Sequence, residues 1–127
     1  MLHHVGVATP DAAATAARYD ELLDLAVAHE ERLADRNLQV VYLGERPYLE
    51  LLEPTGPGPV ERFLERGGSG LHHLAFGVED LPEALAAVRQ LGLETVDDEP
   101  RPGGWGHDVA FLHPSAGNGV LLELVEE

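Results

Sequence analysis

Two histidines and two glutamates occur at matching places in this sequence. His4 and His73 each open an apolar run, and Glu50 and Glu123 each lie inside another apolar run. The separation between the two histidines is nearly the same as that between the two glutamates. Imidazole nitrogens and carboxylate oxygens together bind divalent cations of intermediate hardness, and a carboxylate can also transfer protons. There is no cysteine, so a thiolate site is excluded. We therefore predict one divalent ion, Co²⁺, Mn²⁺, Ni²⁺ or Zn²⁺, bound by all four residues.

The segments around these residues repeat as well. After each histidine run comes an aspartate, Asp11 or Asp80, and then an alanine-rich stretch; Asp80 and Glu83 have the spacing of a helix-capping box. The order strand, helix and three strands therefore occurs twice. This predicts an α+β domain over residues 1–127, in which two βαβββ modules form a curved mixed sheet with a metal-binding cleft. The modules are residues 1–53 and 71–127, and the linker is 54–70.

Hydrophobic periodicity gives the bounds of the individual elements. The second helix should bury one face formed by Leu81, Leu85, Val88 and Leu91, and Gly92 should end it. Other predicted elements are a first helix at 11–24, a short helix at 60–66, and strands at 26–31, 38–43, 93–97 and 108–112.

Alternation along the first strand of each module predicts an open face. In an extended segment alternate side chains share a face, so His4 lies beside Gly6 and His73 beside Ala75. Small neighbours leave room next to each imidazole. A lone histidine in a strand is usually structural, but here a histidine and a glutamate recur together. A divalent cation would also satisfy glutamates that are costly to bury alone.

Five other residues are candidates for structural or supporting roles. His3 and His72 alternate with the proposed ligands, point to the opposite face and are read as structural. His107 and His113 are candidates to contact either a metal ligand or the substrate. Trp105 lies between glycines and is either a lid element or part of a simple turn.

The charge balance excludes several classes of partner. There are 23 acidic residues and 8 basic residues, and every basic residue is an arginine. The net charge is therefore −15. Clustered positive charge for nucleic acid is absent, and no apolar run approaches the ~20 residues that cross a bilayer. Without a secretory signal the expected location is cytoplasmic. The acidity indicates either adaptation to a high-salt cytoplasm or the composition of a GC-rich genome.

The order of the four proposed ligands on a doubled module resembles the vicinal oxygen chelate superfamily, which includes glyoxalases, bleomycin resistance proteins and dioxygenases. Within it the chain is similar to the methylmalonyl-CoA epimerases over residues 2–126. The segments that carry this resemblance are His-Val-Gly-Val-Ala at 4–8, Glu-Leu-Leu-Glu-Pro at 50–54, Gly-Leu-His-His-Leu-Ala-Phe at 70–76, Glu-Pro-Arg-Pro-Gly at 99–103 and Phe-Leu-His-Pro at 111–114.

The resemblance implies an isomerase that acts on an acyl-CoA as a homodimer. Such an epimerase inverts the carbon between the thioester and the carboxylate of methylmalonyl-CoA, with a metal stabilising the enolate. Its two proton-transfer groups would be Glu123 and an acidic residue before the third strand, where the family has Pro-Glu-x-Gly. This chain has Ala-Asp-Arg-Asn at 34–37. Asp35 matches the family position, and Glu31 is the alternative. Ser115 stands where the family commonly has lysine.

Two other functions remain open at this point. A glyoxalase I-like lyase or isomerase uses the same type of ligand set, although no segment resembles its substrate-binding region. A non-catalytic protein that binds a small ligand is the other alternative, since the fold also hosts such proteins. A ring-cleaving dioxygenase fits less well because it needs redox-active iron, usually with two histidines and one glutamate.

Overall fold

The computed structural model describes residues 1–127, which fold as two compact units. The N-terminal unit is His4–His72, and the C-terminal unit combines Met1–His3 with His73–Glu127. None of the helices has both the length and the apolar character that a membrane crossing requires.

The N-terminal unit has a four-stranded mixed sheet in the order β2-β3-β4-β1. β1 runs parallel to β4, while β3 is antiparallel to both of its neighbours. A 3-10 turn, Ala34–Arg36, joins β2 to β3. The elements are β1 (Leu2–Ala8), α1 (Ala12–Leu23), β2 (Val27–Leu33), β3 (Leu38–Leu43), β4 (Tyr48–Pro54) and α2 (Pro59–Gly67).

Helix α1 forms where the sequence predicts it, and local chemistry sets both of its ends. The Asp11 carboxylate accepts a hydrogen bond from the backbone N–H of Ala14 at 3.0 Å, which caps the first turn. Asp24 ends the helix with a left-handed backbone at φ 55°. The helix buries Ala12 and Ala16 against apolar side chains of β3 and β4. Small residues on this face allow the helix to lie close to the sheet.

The C-terminal unit repeats this arrangement in the order β5-β8-β7-β6. β5 is parallel to β8, and β7 is antiparallel to both β8 and β6. The predicted α+β class with two βαβββ units is therefore confirmed. The elements are β5 (Gly70–Val78), α3 (Leu81–Gln90), β6 (Arg101–Pro102), β7 (Asp108–Phe111) and β8 (Leu122–Glu126).

Helix α3 confirms the capping box and most of the predicted apolar face. The Asp80 carboxylate accepts a hydrogen bond from Glu83 N–H at 3.0 Å, and Leu81 and Leu85 are fully buried. The expectation that Leu91 joins this face is wrong, because its side chain is 75% exposed. The helix ends one residue earlier, and Gly92 at φ 77° turns the chain away from the helix axis.

The predicted strand at 93–97 is also wrong. Only a single bridge forms there, between Thr95 and Leu112, and the strand that pairs with β7 on the edge away from β8 is the two-residue β6. The Asp97 carboxylate accepts the backbone N–H of Phe111 at 2.8 Å, so a side chain takes the place of a strand carbonyl. Pro100 lacks the N–H that a ladder needs, which also shortens β6.

Candidate metal centre

In the N-terminal unit, His4 on β1 and Glu50 on β4 form a buried pair. Their Nε2 and Oε1 atoms are 3.3 Å apart, and their side chains are only 3% and 8% exposed. The register explains how the carboxylate reaches the imidazole. Glu50 lies directly opposite Gly6, which has no side chain to fill the space between the two strands. The carboxylate can therefore extend across β1 towards His4, two residues earlier on the same face.

The C-terminal unit contains the equivalent pair, His73 on β5 and Glu123 on β8. Nε2 and Oε1 are 3.2 Å apart, and both side chains are buried. Glu123 lies opposite Ala75, whose methyl group is the smallest side chain after that of glycine. The small residues two positions after each histidine are thus the ones that make room for the glutamates.

An aromatic ring stands on the other side of each glutamate. Tyr42 on β3 is the strand partner of Glu50, and Phe111 on β7 is the strand partner of Glu123. The Tyr42 ring meets the His4 ring edge-on, with centroids 5.8 Å apart and an interplanar angle of 86°. Phe111 meets His73 in the same way, at 5.3 Å and 81°. Each unit therefore has the same four-part arrangement of histidine, small residue, glutamate and aromatic ring.

The chemistry of these donors fits a divalent cation. His4, Glu50, His73 and Glu123 each offer one ligating atom, a ring nitrogen or a carboxylate oxygen. Burying a carboxylate is costly unless a cation or several hydrogen bonds compensate for the lost water. An imidazole binds a metal in its neutral form, in which it cannot itself neutralise the neighbouring carboxylate. Each buried pair therefore gains a charge partner when a cation binds.

The histidines next to the proposed ligands pack away from them. His3 is buried and meets the ring of His107 edge-on at 5.3 Å. His107 also has Nδ1 2.9 Å from the carbonyl oxygen of Glu126. The ring of His72 contacts that of Phe63 at 5.1 Å. These contacts fit the structural roles expected for His3 and His72, and they give His107 a local role as well.

His113 also has a local role in the structure. His113 caps the 3-10 turn Pro114–Gly117, because its Nδ1 accepts the backbone N–H of Ser115 at 3.1 Å. Trp105 is half-buried in the turn Gly104–Gly106 and has a left-handed backbone at φ 58°.

The turn before β3 shows how the departure from the family pattern is accommodated. Asp35 is exposed within this turn, and Asn37 closes it with φ 54° and ψ 47°. This left-handed conformation favours glycine, and asparagine tolerates it better than most other residues. The Asn37 side chain also donates from Nδ2 to the carbonyl oxygen of Pro57 at 2.9 Å. Asparagine can therefore stand where the family has glycine while the backbone still turns into β3.

Glu31 has a different setting from Asp35. It lies on β2 opposite Val40, which in turn lies opposite Leu52, so it shares a sheet face with Glu50. Its side chain is 31% exposed, and its Oε1 is 3.1 Å from Nε2 of His29. The sequence reasoning missed His29, although two-residue spacing within a strand would have placed it beside Glu31.

Comparisons with known proteins agree with this architecture. The Glyoxalase/Bleomycin resistance protein/Dioxygenase superfamily matches residues 3–111. An uncharacterized Bacillus subtilis protein is 38% identical over 98% of this chain and 91% of its own length. The ethylmalonyl-CoA/methylmalonyl-CoA epimerase of Cereibacter sphaeroides is 36% identical over 97% and 95%.

A solved structure extends the similarity to the three-dimensional fold. It is a variant of Streptomyces coelicolor methylmalonyl-CoA epimerase in complex with 2-nitronate-propionyl-CoA. It superimposes with a TM-score of 0.94 at 34% identity, covering 100% of this chain and 94% of the other. The chain therefore belongs to the glyoxalase/bleomycin resistance protein/dioxygenase superfamily.

Proposed function

We propose that this protein is a metal-dependent epimerase that interconverts the two epimers of methylmalonyl-CoA. The observation that carries the proposal is the pair of matching, buried histidine–glutamate contacts, His4 with Glu50 and His73 with Glu123. The nearly full-length similarity to methylmalonyl-CoA epimerases supports this substrate over others used in the superfamily.

We further propose that the two pairs bind one divalent ion together, with two nitrogen and two oxygen ligands. Such an ion, when bound, supplies positive charge next to the oxyanion that develops as the α-proton leaves. The remaining requirements fall on the protein itself. The buried strands must hold the four ligands in place, and acidic side chains must move protons on both faces of the α-carbon.

Glu123 is our choice for one proton-transfer group, and Asp35 is our first choice for the other. One carboxylate takes the α-proton from one face, and the protonated acid on the opposite face gives a proton back. One proton leaves the α-carbon and one is added to its opposite face, so the composition is unchanged and the configuration of the α-carbon is inverted. Asp35 matches the family position, and Asn37 closes the turn that contains it. Glu31 is the second choice, supported by its sheet face and its contact with His29.

The decisive experiment follows a single epimer of methylmalonyl-CoA in deuterated water. Protein loaded in turn with Co²⁺, Mn²⁺, Ni²⁺ and Zn²⁺ should interconvert the epimers and place deuterium at the α-carbon. Mass spectrometry gives the deuterium content, and chromatography of the epimers gives their ratio. No exchange with any of these ions would reject the epimerase. A glutathione hemithioacetal would then test the glyoxalase I-like alternative.

Variants separate the two bases. Replacing the non-ligand base should stop interconversion of the epimers but leave deuterium exchange on the face served by Glu123. Metal binding should be unchanged, because neither Asp35 nor Glu31 is a proposed ligand. Full epimerisation by both Asp35→Asn and Glu31→Gln would contradict the two-base assignment.

Two wider properties belong to the same proposal. By analogy with the family we propose that the protein is a homodimer and works in the cytoplasm. We expect no interaction with nucleic acid, because a net charge of −15 repels a polyanionic backbone. We also expect no interaction with membranes.

A further inference from the structure

The aromatic rings beside the two glutamates are the part of the repeat that the sequence reasoning did not use. Tyr42 and Phe111 occupy equivalent places, each on the third strand of its unit and each opposite the glutamate of the pair. Two residues of different type therefore make the same kind of ring contact with a histidine. Their shared component is the ring and not the hydroxyl group.

We propose that Tyr42 and Phe111 are positioning residues that fix the orientation of the His4 and His73 imidazoles for metal binding; this inference rests on the proposed metal site. Each ring meets its imidazole edge-on, with interplanar angles of 86° and 81°. An edge-on contact restricts rotation of the imidazole about its Cβ–Cγ bond. It thereby keeps Nε2 directed at the carboxylate oxygen of the paired glutamate.

The surroundings of each histidine show why a ring is needed there. Gly6 follows His4 by two residues on the same face of β1, and Ala75 follows His73 in the same way on β5. These small residues leave the space beside each imidazole open. This opening admits the carboxylate, and His4 also faces its strand partner Tyr48, whose ring is 6.0 Å from that of Tyr42. The rings of Tyr42 and Phe111 supply the wall that the small residues cannot. Groups that orient metal ligands typically contribute 10- to 100-fold to metal affinity.

The repeat predicts that metal binding does not need the hydroxyl group of Tyr42. Phe111 makes the corresponding contact without a hydroxyl, so Tyr42→Phe should bind metal as the wild type does, and so should Phe111→Tyr. Removing the ring should have a different effect. Tyr42→Leu and Phe111→Leu should each weaken metal binding by about 10-fold or more.

The experiment measures Co²⁺ affinity by competition with a chelator and records the visible absorption of the bound ion, which reports on ligand geometry. Tyr19→Leu is the matched control, because Tyr19 packs against the core of the N-terminal unit. It should lower the melting temperature without changing Co²⁺ affinity or the spectrum. Tyr42→Met and Phe111→Met fill the core without a ring, and they serve if a leucine variant does not fold.

The outcomes separate this inference from the proposed function. Wild-type protein that binds no Co²⁺ would refute the metal site itself. Wild-type binding with unchanged affinity and spectrum in folded Tyr42→Leu and Phe111→Leu, or in the methionine variants, would overturn the positioning role alone. An equal loss of affinity in Tyr19→Leu would also overturn it, because the effect would then come from general core packing.

Discussion

Replacing Asn37 by alanine should destabilise the protein by an amount that follows from two contacts. A residue with a Cβ pays roughly 1–2 kcal/mol in the left-handed region, a cost that asparagine partly avoids. The hydrogen bond from Asn37 Nδ2 to the carbonyl oxygen of Pro57 contributes about 1 kcal/mol net. Asn37→Ala should therefore lose about 1.5–2.5 kcal/mol, which lowers the melting temperature of a domain of this size by roughly 5–12 °C.

Asn37→Gly isolates the backbone part of this effect. Glycine loses the same hydrogen bond but has no steric cost at φ 54°. Its greater freedom in the unfolded chain offsets part of the gain. The glycine variant should therefore be about 0.5–1 kcal/mol more stable than the alanine variant, or roughly 2–5 °C higher in melting temperature. Thermal denaturation followed by circular dichroism measures both.

The same two variants test the role of the turn in catalysis. If the turn holds Asp35 in place, Asn37→Ala should slow epimerisation without changing metal affinity, and Asn37→Gly should restore part of the rate. Identical melting temperatures for the two variants would refute the argument that the left-handed backbone selects asparagine here.

Three further predictions address the metal, the charge and the assembly. His4→Ala or His73→Ala should abolish stoichiometric metal binding and activity but leave the protein folded, whereas His3→Ala or His72→Ala should bind metal normally; elemental analysis that shows no difference would contradict the strand-face assignment. If the net charge of −15 reflects a halophile, the melting temperature should rise steeply towards molar potassium chloride as screening relieves carboxylate repulsion, and equal melts at low and high salt would reject this. Light scattering at high salt should give twice the mass of the chain, and a monomer would contradict the homodimer.

The residues of the candidate site were predictable because two simple rules apply to them. Strand alternation places His4 beside Gly6, and the internal repeat applies the same pattern to His73. The register was not predictable, because it depends on how whole strands pair and not on local pattern. The sequence could not show that Glu50 lies opposite Gly6 or that an aromatic ring stands on its other side.

The two errors in the fold have different physical causes. Residues 93–97 include the β-branched Thr95 and Val96, which are common in strands, but the Asp97 carboxylate takes the hydrogen bond of Phe111 N–H. Leu91 fits the helical spacing and is exposed because the helix ends before it. Neither result follows from periodicity, because the first depends on which group accepts the Phe111 N–H and the second on the residue at which the helix ends.

The membership of Met1–His3 in the C-terminal unit has a consequence for the kinetics of folding. Gly77 N–H donates to the carbonyl oxygen of Met1 at 2.9 Å, and the His3 ring contacts that of His107. The C-terminal unit is complete only when segments from both halves of the sequence have met, and such long-range closure is slower than local pairing. The N-terminal unit is the single continuous segment His4–His72 and can form earlier. Cleavage after His72 would accordingly leave residues 73–127 without the short segment that completes their unit.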